Sequence, residues 1–357
     1  MRAAVLRKPE TLEVTNIPRF DIGEEGVSIK VEVCGICGSD IRYYHGENPW
    51  SLHTLGKVLP NPPNIVLGHE FTGRVTEVAS RHLEPLLGKR VAVLPFKTCG
   101  QCYECRTGRE NLCKQTIHLG HVAGWGEQAY YPGGMAEYAI AWANACYELP
   151  ETVLAEEAAM LDVLGVGVHA VGVAQLHPGE TVAVFGTGPI GSAIIQVAKA
   201  YGAGRIIATD VYPKALNIAQ QVGADVTIDA RTSDIVETIR EITKGLGCHT
   251  VFDTVGTLKT FQQGLAVLSR NGTLVNMAVH SMEIPLKMLN MSSERRVMTS
   301  SNYLLKEFQV ALNLVAAQRV TTKSWFTHRF SLEEVNEAFR MMDNKEQFNA
   351  FKILIYP

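Results

Sequence analysis

The sequence lacks the features that mark membrane, exported and nucleic-acid-binding proteins. No run approaches the roughly 18 to 20 apolar residues of a membrane helix, and the first ten residues carry charges instead of the apolar segment of a secretory signal. Lysine and arginine form no basic block, and the formal net charge of the 357 residues is only −3. Repeats and low-complexity linkers are absent too. We expect a cytoplasmic protein of about two domains with no membrane or nucleic-acid partner.

Four of the eight cysteines lie close together in the pattern C-x2-C-x2-C-x7-C, at Cys99, Cys102, Cys105 and Cys113. Thiolates are the usual ligands of structural zinc, which is tetrahedral with Zn–S distances of about 2.3 Å. Two disulfides are the alternative, but nothing else in the sequence points to an oxidising compartment. The spacing therefore predicts a structural zinc lobe at about residues 95–115.

The hydrophobic pattern changes along the chain. Up to about Leu149, short alternating runs are punctuated by proline and glycine, which indicates a mostly β region. From about Glu156, strands and helices alternate, which is typical of a doubly wound parallel sheet. The predicted strands of this region are 181–185, 205–209, 226–228, 250–253 and 273–278. The predicted helices between them are 190–201, 214–222, 234–244 and 259–269. Two further helices, 307–317 and 332–343, and a strand, 351–355, are predicted after this region.

A glycine-rich turn, Gly186-x-Gly188-x-x-Gly191, separates the first of these strands from its helix. This context is that of a dinucleotide-binding turn. Gly186 permits the tight turn, Gly188 lets the backbone approach a pyrophosphate, and Gly191 lets helix and strand pack closely. The helix start at Pro189 and Ile190 is predicted to face the anion.

The next strand ends at Asp210, nineteen residues after Gly191. A carboxylate at this place accepts hydrogen bonds from the adenosine ribose hydroxyls and repels a 2′-phosphate, which predicts NAD in preference to NADP. Lys214 is a further candidate for the adenosine pocket. Its alternative interpretation is a solvated lysine at the start of a helix.

A third group of candidates lies in the β region. Cys37, His69 and Glu70 supply a thiolate, an imidazole and a carboxylate. This is the mixed ligand set of a catalytic zinc that keeps one position open for water or substrate. On spacing alone, a surface His–Glu pair beside ordinary strand cysteines is an open alternative.

The ordered motifs together resemble a known family. Residues 35–40 (Gly-Ile-Cys-Gly-Ser-Asp), 68–70 (Gly-His-Glu), the four-cysteine lobe, residues 133–138 and the glycine-rich turn follow one another as in the zinc-dependent medium-chain dehydrogenase/reductase family. The sorbitol, 2,3-butanediol and threonine dehydrogenase branch is most similar, because its members pair His directly with Glu. The resemblance implies an α/β protein, with a GroES-like, mostly β catalytic domain (1–157 and 297–357) and a Rossmann NAD-binding domain (158–296).

The resemblance also implies residue roles. Ser39 matches the hydroxyl that takes the substrate proton, and Asp40 is expected to hold an imidazole or an arginine in place. Asp162 is a candidate ligand or, alternatively, a polar residue at a helix start. In the family the structural lobe lies close to a subunit interface, which implies a homodimer or homotetramer. The implied ligands of the catalytic zinc are Cys37, His69, Glu70 and Asp162.

Two departures from the family pattern bear on the substrate. Arg42 stands where many relatives have a histidine of the proton relay, so the relay would end at His45 or on water. Arg42 would either bind an anionic substrate or pair with Asp40. Asn302 stands where sorbitol dehydrogenases have an arginine before tyrosine, which makes sorbitol itself doubtful.

We therefore expect an NAD-dependent zinc enzyme that oxidises a secondary hydroxyl of a polyol, cyclitol, sugar derivative or diol to a ketone. Its cofactors would be NAD and two zinc ions per chain. The first alternative is a dehydrogenase of threonine or of an anionic sugar acid or sugar phosphate. The second is a non-catalytic, zinc-stapled NAD-binding protein, which the presence of Cys37, Ser39, His69 and Glu70 disfavours.

Overall fold

The computed structural model describes residues 1–278 and 283–357, and the chain divides into two compact units. The first consists of Met1–Asp162, Leu304–Ala316 and Phe326–Pro357, and the second of Val163–Tyr303 and Ala317–Trp325. These boundaries differ from those expected at 157/158 and 296/297. The residues after 296 stay in the second unit because they form a strand of its sheet, and the 317–325 segment returns to it, with the Thr321 N–H donating to Gln196 Oε1 at 2.9 Å.

The strands of the described residues are numbered in chain order. They are β1 (Arg2–Lys8), β2 (Thr11–Asn16), β3 (Gly26–Gly35), β4 (Ile65–Val66), β5 (Glu70–Val78), β6 (Arg90–Val93), β7 (Phe96–Lys97), β8 (Ile117–His118), β9 (Tyr138–Trp142), β10 (Cys146–Glu148), β11 (Thr181–Phe185), β12 (Arg205–Asp210), β13 (Val226–Asp229), β14 (Cys248–Asp253), β15 (Leu268–Asn276), β16 (Arg296–Thr299), β17 (Phe326–Ser331) and β18 (Lys352–Tyr356).

The helices are α1 (Gly38–Tyr44), α2 (Pro49–Leu55), α3 (Tyr103–Arg106), α4 (Ala155–Ala159), α5 (Leu161–Ala174), α6 (Pro189–Ala200), α7 (Pro213–Gln221), α8 (Ile235–Ile242), α9 (Leu258–Val267), α10 (Leu305–Ala316) and α11 (Val335–Asp343). Short 3-10 turns cover Arg81–Leu86, Glu110–Leu112, Ala143–Ala145, Met288–Met291, Lys323–Trp325 and Leu332–Glu334. None of the helices in the described part of the chain is long and apolar enough to cross a membrane.

The first unit is built on a mainly antiparallel sheet in the order β10-β6-β5-β3-β18-β17, with β9 also paired to β3. Alternating inward residues of β3, such as Val27, Ile29 and Val31, are buried in its core. The C-terminal strand β18 lies antiparallel to β3, with Leu354 opposite Gly35. The chain end is thereby placed beside the segment that leads into Cys37.

The second unit contains a parallel sheet in the order β13-β12-β11-β14-β15-β16. Its central strands are buried on both faces, which explains their continuous apolar runs in the sequence. The predicted GroES-like plus Rossmann fold class is confirmed. The sequence prediction missed β16, and it placed the start of β15 at residue 273 whereas the strand begins at Leu268, directly after α9.

Candidate active site

The first candidate metal group lies where two neighbouring strands meet. In the antiparallel pair of β3 and β5, Gly35 is opposite Glu70, and a β-carbon at residue 35 would lie 2.5 Å from Glu70 Oε2. Cys37 follows β3, and His69 precedes β5. One potential ligand atom from each of Cys37, His69 and Glu70 lies within 4.8 Å of the others.

The burial of this group fits a cation. His69 is 6% exposed and Glu70 only 1%. Within residues 1–278 and 283–357, His69 Nδ1 and Glu70 Oε1 are buried without a hydrogen-bond partner. An unpaired buried carboxylate oxygen is costly, and a thiolate, an imidazole and a carboxylate are ligands that suit zinc with one position left open. The donor set therefore fits a catalytic zinc.

Asp40 connects the two segments that carry these side chains. It is fully buried, and its carboxylate accepts hydrogen bonds from the backbone N–H of Cys37 at 2.8 Å and of Gly68 at 3.2 Å. Its Oδ1 lies 3.6 Å from His69 Nδ1. Burial lowers the pKa of His69, but the charges of Asp40 and Cys37 outweigh burial and raise that pKa well above its usual value. Asp40 thus lies beside the imidazole.

Lys352 is a residue of this site that the sequence analysis missed. It lies on β18, is 2% exposed, forms an ion pair with Glu70 Oε2 and donates a hydrogen bond to the Ile36 carbonyl at 2.9 Å. Burial lowers its pKa, but the Glu70 carboxylate more than offsets this and raises it. A single lysine inside an apolar strand was the available signal, although the sequence could not show its partner.

A column of stacked rings borders the metal group and was also missed. The His118 ring lies edge-on to His69, with centroids 5.6 Å apart, and stacks on His121 at 4.1 Å. His121 in turn stacks on Tyr43 at 5.2 Å. Burial, reinforced by the nearby His69, lowers the pKa of His118 to about 3. Two histidines shortly after Cys113 were the only sequence signal.

The second candidate metal group is the four-cysteine lobe. The sulfur of Cys99 lies 3.9 Å from that of Cys105 and 3.6 Å from that of Cys113, close to the ~3.8 Å edge of a tetrahedron with 2.3 Å bonds. Every cysteine of the chain is a free thiol, so the two-disulfide alternative is wrong. Backbone N–H groups of Gln101 and Cys102 donate to Cys99 and lower its pKa to about 6. These thiols fit a structural zinc.

The glycine-rich turn has the geometry that a dinucleotide requires. Gly186 has a positive φ of 80°, and a β-carbon at residue 191 would lie 2.0 Å from the Gly186 carbonyl oxygen. At Gly188 a β-carbon would meet nothing within 4 Å, so this stretch of backbone is open to a ligand. Helix α6 begins at Pro189 without a side-chain cap, which leaves the N–H groups of Ile190 and Gly191 for a pyrophosphate.

Asp210 closes this turn from the end of β12. Its Oδ2 accepts hydrogen bonds from the N–H and the hydroxyl of Thr187 at 2.6 and 3.2 Å, and its Oδ1 accepts from the Tyr212 N–H at 2.9 Å. The next residue is the exposed Val211, not an arginine. Lys214 is half-buried in the first turn of α7. The carboxylate is therefore positioned at the end of the strand by the turn itself.

Comparison with known proteins decides the family. Residues 23–151 match the alcohol dehydrogenase GroES-like domain, and residues 189–317 match the zinc-binding dehydrogenase domain. The sorbitol dehydrogenase of Bacillus subtilis (strain 168) is 32% identical over 100% of this chain and 97% of its own length. The chain belongs to the zinc-dependent medium-chain alcohol dehydrogenase family. Its members are oxidoreductases.

Solved structures of this alcohol dehydrogenase family are similar over the whole chain. An alcohol dehydrogenase from Escherichia coli CFT073, crystallised with NADH, superposes with a TM-score of 0.88 at 26% identity, covering 100% of this chain and 99% of its own. The 2R,3R-butanediol dehydrogenase of Bacillus subtilis gives 0.85 at 28% identity, with the same coverage of 100% and 99%. The resemblance inferred from the sequence motifs is thus confirmed.

The remaining candidates, Ser39, Asp162 and Asn302, lie in three different segments of the chain. Ser39 is half-buried in the first turn of α1, two residues after Cys37, and its hydroxyl has no hydrogen-bond partner among the described residues. Asp162 lies in the first turn of α5 and is not one of the three grouped ligands. Asn302, in the second unit, has a left-handed backbone with φ of 53°.

Arg42 and the relay candidate His45 are both engaged elsewhere. Arg42 pairs through Nε with Glu47 at 2.7 Å and contacts His53 at 3.4 Å, and the alternative in which it pairs with Asp40 is not observed. His45 lies between Glu10 and Asp343, each at 3.0 Å. The structure therefore does not bring either side chain into the group of Cys37, His69 and Glu70, called the Cys37 group below.

Proposed function

We propose that this protein oxidises a secondary hydroxyl group of a neutral polyol, cyclitol, sugar derivative or diol to a ketone with NAD. The observation that carries the proposal is the buried Cys37, His69 and Glu70 group, whose ligand atoms lie within 4.8 Å of one another. The glycine-rich turn with its open Gly188 supports the cofactor. The sorbitol and butanediol dehydrogenases among its relatives support the substrate class.

Three side chains would hold the catalytic metal, Cys37, His69 and Glu70. A zinc ion held there supplies Lewis acidity toward the substrate hydroxyl, and bound NAD accepts the hydride. Asp40 positions the two ligand-bearing segments through the N–H groups of Cys37 and Gly68. Lys352 balances the charge of Glu70 and holds its carboxylate in one place.

The proton of the substrate hydroxyl is proposed to pass to Ser39 and from there to water. Ser39 is suited to this step because it follows Cys37 closely and its hydroxyl has no other partner among the described residues. His45, bound by Glu10 and Asp343, is not on this route. The Ser39→Ala variant is therefore expected to lower kcat, whereas His45→Gln is expected to leave kcat unchanged.

A neutral substrate is favoured over an anionic one. The guanidinium of Arg42, the candidate anion receptor, is already paired with the Glu47 carboxylate at 2.7 Å. NAD is favoured over NADP because Asp210 ends β12 and no arginine follows it directly.

The test is an NADH-absorbance screen at one pH on protein that contains two zinc ions per chain. It compares neutral polyols, inositols and diols with aldonic acids, sugar phosphates and threonine, with NAD and NADP in parallel. We expect turnover of neutral alcohols, with kcat/KM at least about tenfold higher with NAD. Turnover of only anionic substrates or threonine would favour the first alternative, and NAD binding without any turnover would favour a non-catalytic protein.

We further propose a homo-oligomer, a dimer or a tetramer, assembled through the edge strand β16. This strand pairs on one side with β15, its Met298 is 44% exposed, and nearby Met288 and Leu289 are each 79% exposed. An unpaired strand edge favours pairing with another chain, and exposed apolar side chains such as Met298 add to this. Light scattering should show a smaller particle for Met298→Lys than for the wild type. Leu246→Lys, at another exposed apolar residue, is the matched control and should keep the wild-type mass. Equal masses for both variants would contradict this interface.

A cytoplasmic location is proposed from the thiols. None of the eight cysteines is paired in a disulfide, and the lobe from Cys99 to Cys113 binds metal only as thiolates. Such a set persists in a reducing compartment. Cell fractionation with a cytoplasmic marker enzyme tests the location, and recovery with an exported marker would contradict it.

A further inference from the structure

One ring nitrogen of His118 is available for a ligand. Its Nδ1 lies 2.7 Å from the Leu119 carbonyl oxygen, and because a carbonyl only accepts, Nδ1 carries the proton. With the ring proton on Nδ1, Nε2 carries the lone pair and is an acceptor. Among residues 1–278 and 283–357, Nε2 has no hydrogen-bond partner.

The ring is held in place by its neighbours. His118 stacks on His121 with centroids 4.1 Å apart and on Phe96 at 5.9 Å. His121 is itself fixed, because the Ala123 N–H donates to its Nδ1 at 3.3 Å. The edge-on contact with His69, at 5.6 Å, then places the half-buried imidazole beside the Cys37 group. Nε2 is therefore an acceptor on a fixed ring that borders His69.

The chemistry of this acceptor restricts what can lie against it. A bound substrate that displaces water from this acceptor leaves it unpaired unless the substrate supplies a donor. The hydroxyl that reacts is committed to the Cys37 group, so the donor must be another group of the same substrate. A second hydroxyl meets the requirement.

We propose that His118 Nε2 accepts a hydrogen bond from a second hydroxyl group of the substrate and so selects polyhydric alcohols over monohydric alcohols. The inference rests on the proposed function for the position of the reacting hydroxyl. It makes His118 a specificity-determining residue. A site built to bind a hydroxyl discriminates against analogues that lack it, because its own polar group then stays unpaired.

The kinetic test compares matched alcohols on the zinc-loaded enzyme with NAD: cyclohexane-1,2-diol against cyclohexanol, and butane-2,3-diol against butan-2-ol. His118→Phe keeps the stacked ring and removes the acceptor, and His118→Gln restores an acceptor. We expect His118→Phe to lower kcat/KM for the diols roughly five- to tenfold, mainly through KM, and to leave the monohydric alcohols within about twofold. His118→Gln should recover most of the diol preference.

Phe96→Leu is the packing control, because it removes a ring 5.9 Å from His118 but leaves Nε2 and the closer stack on His121 in place. It is expected to change the diol and monohydric rates by the same factor. Equal losses for both alcohol types in His118→Phe, or a diol preference that survives in that variant, would overturn the inference.

A binding measurement separates this inference from the proposed function. Each alcohol is titrated calorimetrically into the zinc-loaded protein saturated with NADH, so that no turnover is needed. If diols bind more tightly than monohydric alcohols in the wild type but not in His118→Phe, the inference is supported even when no alcohol is oxidised. If alcohols are oxidised but the preference for diols does not depend on His118, the inference is overturned and the proposed function is left intact. If no alcohol binds, both are overturned.

Discussion

The two cysteine-containing metal groups of this alcohol dehydrogenase are assembled in different ways. The four sulfurs of the lobe come from residues 99–113, and two of their separations are already 3.6 and 3.9 Å. The Cys37 group instead takes its donors from the facing ends of β3 and β5 and uses Lys352 from the far C-terminal strand. The lobe is a local structure, whereas the Cys37 group exists only when the whole first unit is folded.

The largest effect on turnover is expected from His69→Ala. This variant removes a ligand of the Cys37 group and leaves the four-cysteine lobe unchanged. Loss of the metal removes several kcal/mol of transition-state stabilisation, so turnover should fall about a thousandfold or more. Metal analysis should find one zinc per chain instead of two, because the lobe is independent. NADH binding, followed by fluorescence, should be unchanged. Turnover near the wild-type rate would refute the metal mechanism.

The next effect concerns the long-range support of the Cys37 group. Lys352→Met leaves the buried Glu70 carboxylate without its ion-pair partner, which should lower the free energy of unfolding of the metal-free protein by about 3 kcal/mol. Urea denaturation measures it. Lys97→Met is the control, because Lys97 pairs with Glu25 at 3.3 Å on the surface. Its removal should lower the free energy of unfolding by less than about 1 kcal/mol. Similar losses of unfolding free energy in Lys352→Met and Lys97→Met would contradict the expectation that burial makes the Lys352–Glu70 pair matter more.

The reciprocal experiment removes the lobe's metal with Cys102→Ser. Zinc content should again fall to one per chain, but the Cys37 group should keep its metal. Turnover should then stay at least about a hundredfold above that of His69→Ala, since the remaining metal is the one that acts on the substrate. Loss of both metals in Cys102→Ser would show that the two groups are coupled.

The smallest effect is at the surface end of α1. The hydrogen bonds that His45 donates to Asp343 and, with a smaller effect, to Glu10 raise its pKa above the usual 6.5. The stabilisation is therefore complete below about pH 6.5 and is lost as the pH rises through the higher folded-state pKa. Because His45 is exposed, the difference should be under about 1 kcal/mol. Thermal unfolding of wild type and His45→Gln should converge at high pH, and a constant difference across pH would contradict this.

Much of the molecule could be predicted from the sequence, since the signals are local. Strand β11 and helix α6 follow from an apolar run and a glycine-rich turn, and their bounds agree to within about one residue. The short β16, by contrast, has four residues and only weak apolar character. Its place in the sheet depends on pairing with β15, which no local pattern reveals.

At the candidate site, too, residue types could be predicted from the sequence but their contacts could not. Cys37, His69 and Glu70 could be proposed because their residue types suit zinc. Arg42 and His45 were proposed from their positions in the chain, but the partners that engage them, Glu47, Glu10 and Asp343, depend on how the helices lie. Sequence position shows which side chains are available and not which neighbour is nearest.

By itself, the sequence determined the family, the two kinds of metal ligand set and the dinucleotide turn, because each depends on residue types at short, regular spacing. Only the tertiary structure decided that Lys352 faces Glu70 and that His118 borders His69 with a free acceptor. The physical reason is that strand pairing and ring stacking join residues far apart in the chain, and burial then gives these contacts their energetic weight.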